Sequence, residues 1–74
     1  MAIQRFTAML HREGDAYVAI CPELDVASQG DTIEQARANL REAVELLLET
    51  ASPQEITERL KSEVYLTSLE VEVG

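Results

Sequence analysis

Residues 16–21 read Ala-Tyr-Val-Ala-Ile-Cys, an uncharged run closed by Pro22. In an extended chain, successive side chains point to opposite sides of the sheet. Ala16, Val18 and Ile20 then share one side, and Tyr17, Ala19 and Cys21 the other. Both sides are apolar, which is the pattern of a central strand covered twice. Pro22 removes a backbone donor and ends the run. The chain has 74 residues, enough for one domain spanning residues 1–74. A domain of that size has a thin core. Aromatic residues are only 4% of it, so that core is aliphatic.

The flanking segments supply the rest of the sheet. Residues 3–12 alternate, with Phe6, Ala8 and Leu10 on one face and Ile3, Arg5, Thr7, Met9 and His11 on the other. Glu13-Gly14-Asp15 is a turn signal and predicts a hairpin into residues 16–21. An acidic bend, Glu23-Leu24-Asp25, leads to a short third strand at residues 26–29, broken by Gly30-Asp31.

Thr32 opens a helix, with Gln35 at capping-box spacing. Its expected span is Ile33 to about Thr50. At about 100° per residue, Ile33, Ala36, Leu40, Ala43, Val44, Leu47, Leu48 and Ala51 make one apolar stripe. Ser52-Pro53-Gln54-Glu55 starts a second, short helix ending at Leu60 or Lys61, with Ile56 and Leu60 inward. Residues 64–73 alternate again and are expected as a fourth strand with Glu70 and Glu72 toward solvent.

The fold class is therefore α+β, in the order β-β-β-α-(short α)-β, with the helices on one face of the sheet. Strand three runs parallel to strand one, and a helical crossover returns strand four parallel to both, provided the short second helix does not reverse the sense. The second face still needs a cover. A homodimer or higher homo-oligomer is the simplest one, and a protein partner is the other.

The formal net charge of -8 argues against nucleic acid as a direct ligand, because phosphate contacts need clustered Lys and Arg. An acidic surface suits a basic protein, or keeps a small domain in solution. One cysteine permits no intrachain disulfide. No leader pattern is present, and no run approaches the ~20 apolar residues that span a bilayer. A cytoplasmic, membrane-free location is expected.

Candidate chemistry is sparse. His11 has no second His or Cys at ligand spacing and reads as a surface strand residue. Cys21 lacks a neighbouring base and reads as a buried, inert thiol. Asp15, Glu23, Asp25 and Asp31 are the carboxylates that a metal-dependent hydrolase would use, but acids populate turns for ordinary reasons. Glycines at positions 14, 30 and 74 make no phosphate loop. These residues point to no catalytic group, no metal and no cofactor, so the reading is of a non-enzyme.

The acidic side of the long helix says more. Glu34, Glu42, Glu45 and Glu49 lie opposite the apolar stripe. The last three sit in the C-terminal half, where the helix dipole prefers cations. Arg41 pairs with Glu45 at i,i+4, leaving little for Glu49. Such placement costs from a few tenths to about 1 kcal/mol per residue. It makes either a solvated face or a docking surface for a cationic partner. The candidate contact residues are Glu42, Glu45, Leu46 and Glu49, with Glu23 and Asp25 second.

Residues 17–45 also resemble the HicB family of type II antitoxins. The resemblance is carried by Tyr17-Val18-Ala19, Pro22-Glu23-Leu24, Gly30-Asp31-Thr32, and Glu34, Ala36, Asn39 and Glu42-Ala43 on the helix. Many relatives have Pro-Gly in the bend where this chain has Asp25-Val26. The resemblance implies a partial ribonuclease-H-like sheet with strand four beside strand one. It also implies a partner, a small basic HicA-type mRNA-cleaving toxin that the antitoxin neutralises by occlusion. Longer relatives append a C-terminal DNA-binding domain; this chain departs from that pattern, and a short form without it is expected. The competing expectation is an orphan HicB-fold adaptor that forms homo-oligomers and has no toxin.

Overall fold

The computed structural model describes residues 3–74. Three strands come first: β1 (Met9–Glu13), β2 (Ala16–Cys21) and β3 (Val26–Gly30). Two helices follow, α1 (Ile33–Thr50) and α2 (Pro53–Leu60). The class is α+β, in the expected order up to that point. The strands form an antiparallel meander in the order β1-β2-β3, so β2 is central and β1 and β3 run parallel without touching.

The β1–β2 hairpin closes on Gly14-Asp15, with Glu13 paired to Ala16. Gly14 has φ 63 and Asp15 does not share a positive φ. A glycine first is what a type II′ hairpin turn requires. The register puts Leu10 beside Ala19 and Met9 beside Ile20. On the far side Ser28 lies beside Ala19, and Val26 beside Cys21. Leu10, Tyr17, Ala19, Cys21 and Val26 therefore share one face. Met9, Val18, Ile20 and Ala27 share the other.

The first face carries the core. Ala19, Cys21, Leu24, Ala36 and Leu40 are buried there, with Phe6, Leu10, Tyr17, Val26, Val44 and Leu47 packed around them. α1 supplies the cover and lies chiefly on β3 and β2, barely reaching β1. Its approach is close at Gly30, where a Cβ would sit 2.6 Å from Ala36 N and 2.8 Å from Gln35 C. The cap forms at the same spot. Gln35 N–H donates to Thr32 Oγ1 at 3.0 Å, and Asp31 N–H donates to Gln35 Oε1 at 2.7 Å. The Gln35 side chain thus reaches back one residue beyond the cap itself. Asn39 Nδ2 donates to Gln29 O at 2.8 Å and ties the second turn to β3.

Four expectations are corrected. Residues 3–8 are not part of the first strand. Pro22 follows Cys21 without a donor, so the ladder stops at Met9–Ile20, and Thr7 N–H turns instead to the Glu23 carboxylate at 3.0 and 3.1 Å. Residues 64–73 form no strand and do not lie beside β1; none of them makes a hydrogen bond to the rest of the described chain. Alternation gives a segment two faces, but a strand also needs an edge to pair with. Ile33 and Leu48, assigned to the apolar stripe, are exposed; Leu48 lies on the side of α1 that faces the groove beside residues 3–8. Leu60 is exposed too. α2 is held by Arg59 instead, whose Nη1 donates to Leu24 O at 2.7 Å.

Candidate protein-binding site

The outward side of α1 collects four of the singled-out residues. Glu42, Glu45, Leu46 and Glu49 are all exposed, Leu46 by 59%. Arg41 Nε lies 3.7 Å from Glu45 Oε2, with both side chains largely in solvent. No basic residue stands in the last turn to meet the helix dipole. The result is one apolar side chain ringed by three carboxylates, of which one has a weak partner.

Glu23 and Asp25 stand apart from that face, on the bend between β2 and β3. Asp25 is exposed and takes φ 56, a left-handed conformation that Asp tolerates better than most residues. Glu23 is committed to structure. Besides the Thr7 N–H it accepts the Thr7 hydroxyl at 2.6 Å, and Cys21 Sγ donates to it at 3.6 Å. Desolvation pushes its carboxyl upward, but the Thr7 hydroxyl and amide outweigh this and hold it below the usual range. The Cys21 thiol is pushed up, first by burial and then by the Glu23 charge. A protonated, buried thiol is a poor nucleophile.

His11 is exposed, with Nε2 3.6 Å from Glu13 Oε2. Among the described residues, no three His, Cys, Asp or Glu side chains gather where they would hold a metal ion. Asp15, Glu23, Asp25 and Asp31 thus share no common site.

Two features escaped the sequence reading. Leu24 is fully buried although it sits in a bend of turn-forming residues. The second is a groove of about 640 Å³ between residues 3–8 and α1. Phe6, Ala8, Cys21, Leu40, Val44 and Leu48 line it, together with Arg37, Arg41 and Glu45. It exists because α1 leans toward β3 and leaves the β1 side of the core uncovered. The visible signal was Leu48 flanked on its helix face by Arg41 and Arg37.

Two curated proteins from Synechocystis sp. are similar to this chain. One is the UPF0150 protein ssl0738, 50% identical over 38 residues, which span 50% of this chain and 53% of that protein. The other is the UPF0150 protein ssr1765, 46% identical over 50 residues, 65% of this chain and 63% of that protein. The matched stretch covers between half and two thirds of each relative's length. No family model and no solved structure matches. No described helix is long and apolar enough to cross a membrane.

Proposed function

We propose that this domain is a HicB-like antitoxin module that binds a small basic HicA-type toxin and occludes its ribonuclease site. The observation that carries the reading is the outward face of α1, where exposed Leu46 stands among Glu42, Glu45 and Glu49. Carboxylates of this kind speed encounter with a basic protein and orient it. A desolvated apolar anchor supplies the slow dissociation. The motif resemblance over residues 17–45 adds the toxin class, and the sheet would be the partial ribonuclease-H-like one. The reading places the protein in the cytoplasm, where such a toxin meets mRNA.

The test is co-expression with the adjacent small reading frame, followed by pull-down and titration calorimetry. The expected result is a complex with a basic protein resembling a double-stranded-RNA-binding domain. Leu46→Asp should weaken it by about 30-fold or more, the range of an interface anchor. Reversing Glu42, Glu45 and Glu49 to Lys should slow association and flatten its salt dependence. Absence of any complex defeats the antitoxin reading. A complex indifferent to all four substitutions defeats this surface.

The orphan-adaptor reading draws on the sheet face away from α1, where Met9, Ile20 and Ala27 lie side by side in register with no described element packed over them. A homo-oligomer that buries this face and retains no other protein would favour it.

A further inference from the structure

We propose that the groove between residues 3–8 and α1 is a binding site for a single-chain amphiphile with one anionic end, a medium-chain carboxylate. The site is independent of the toxin reading and shares only the Arg41–Glu45 pair with the outward face of α1. The groove holds about 640 Å³, within the roughly 300–1,000 Å³ of small-molecule sites. Leu40, Val44 and Leu48 form one apolar row along its helix wall, at i, i+4 and i+8. Phe6 and Ala8 line the opposite wall, and Cys21 of β2 contributes between them. That opposite wall is fixed by Thr7, whose N–H and hydroxyl both donate to Glu23. Both walls are therefore in place before anything binds.

The charges of the lining are ordered along the helix. Arg37, Arg41 and Glu45 make a second row beside the apolar one, again at i, i+4 and i+8. Arg41 leans on Glu45, with Nε 3.7 Å from Oε2. Arg37 has no ion-pair partner among the described residues. Glu45 stands about 12 Å from Arg37 along the axis, at about 1.5 Å per residue. That separation exceeds the ~8 Å over which exposed charges are felt at physiological salt, and Arg41 lies between. The groove thus has a free cation toward one end and a carboxylate toward the other.

This polarity selects the occupant. A guanidinium takes a carboxylate through two parallel N–H donors, so the head sits at Arg37. The tail then runs past Leu40 and Val44 toward Leu48, which is 37% exposed when nothing covers it. A second anionic end would meet Glu45, which rules out a double-headed acid. The net charge of -8 opposes any anion, so affinity comes from the tail and direction from Arg37. Each buried methylene is worth roughly fourfold in affinity.

The test is titration calorimetry with amide chemical-shift mapping, using decanoate below its micelle concentration on the full chain. The expected result is a single saturable site per chain, with shifts at residues 6–8 and 37–48. Octanoate should bind about tenfold more weakly, for want of two methylenes. Decanol, decyltrimethylammonium and decanedioate should each fall at least about tenfold below decanoate. Arg37→Gln should erase the preference for decanoate over decanol, and Leu48→Asp should weaken decanoate by about tenfold or more. No binding, or equal affinity for the acid, the alcohol and the ammonium, overturns the proposal. Shifts confined to residues 64–73, or an Arg37→Gln chain that keeps the preference, overturn it too. So does a self-associated chain that excludes decanoate, which gives the groove to a second copy. Should either variant fail to fold, the probe series on the unaltered chain decides.

Discussion

Gly30→Ala is the sharpest probe of how α1 is seated. Two effects of opposite sign compete. Removing a glycine restricts the unfolded chain and stabilises by about 0.4–1 kcal/mol where the native backbone accepts alanine. Gly30 has no left-handed φ, so its backbone accepts one. Space does not. The new methyl would lie 2.6 Å from Ala36 N and 3.0 Å from its Cα. These are backbone atoms of a helix and cannot swing aside like a side chain. The helix must lift by several tenths of an ångström, which also loosens the Thr32 cap and the Asn39 bond. Overpacking of this kind costs about 1–3 kcal/mol, and a disturbed cap adds about 1. The net expectation is a loss of about 2–3 kcal/mol, or roughly 10–20 °C in a domain of this size. Thermal and urea unfolding followed at the helix band, at fixed protein concentration, will read it. A Gly30→Ala protein within about 0.5 kcal/mol of the parent, or more stable, refutes the close seating of helix on strand.

Three further outcomes follow from the bend and the core. Glu23→Gln should flatten the acid side of the stability–pH curve. The folded carboxyl is depressed, so its contribution is present above the ordinary carboxylate range and lost as pH falls through the lowered value; urea midpoints followed from neutrality down through the carboxylate range to below that lowered value will show it. Arg59→Met keeps the aliphatic stem but removes the bond to Leu24 O. The expected loss is about 1–2 kcal/mol, with faster amide exchange confined to α2 and the bend. Cys21 should resist iodoacetamide at neutral pH until the chain unfolds, as mass spectrometry across a urea series will report, because the thiol is buried and held protonated.

Much of the architecture was legible because its signals are local. The two-faced run at residues 16–21 had to be the middle strand, and Thr32 with Gln35 had to open a helix. The less legible parts depend on partners. Residues 3–8 and 64–73 alternate as well as any strand, but whether they pair is decided by the edge they meet, and β2 runs out at Pro22. Leu24 was hidden by its neighbours, since Pro22, Glu23 and Asp25 announce a turn and a turn is normally at the surface. For the candidate site, periodicity placed Glu42, Glu45, Leu46 and Glu49 on one outward face. It gave no warning that Glu23 would spend its carboxylate on Thr7. That bond joins residues far apart in sequence, and helix or strand periods carry no trace of it.

The bend at residues 22–25 has one more consequence. Glu23 fastens the approach to β1, and the Leu24 carbonyl fastens α2. Thr7 and α2 are therefore anchored on neighbouring residues of one short bend. A rotation of this turn would shift both attachments at once, so a change made in the bend is felt at Thr7 and at α2 together.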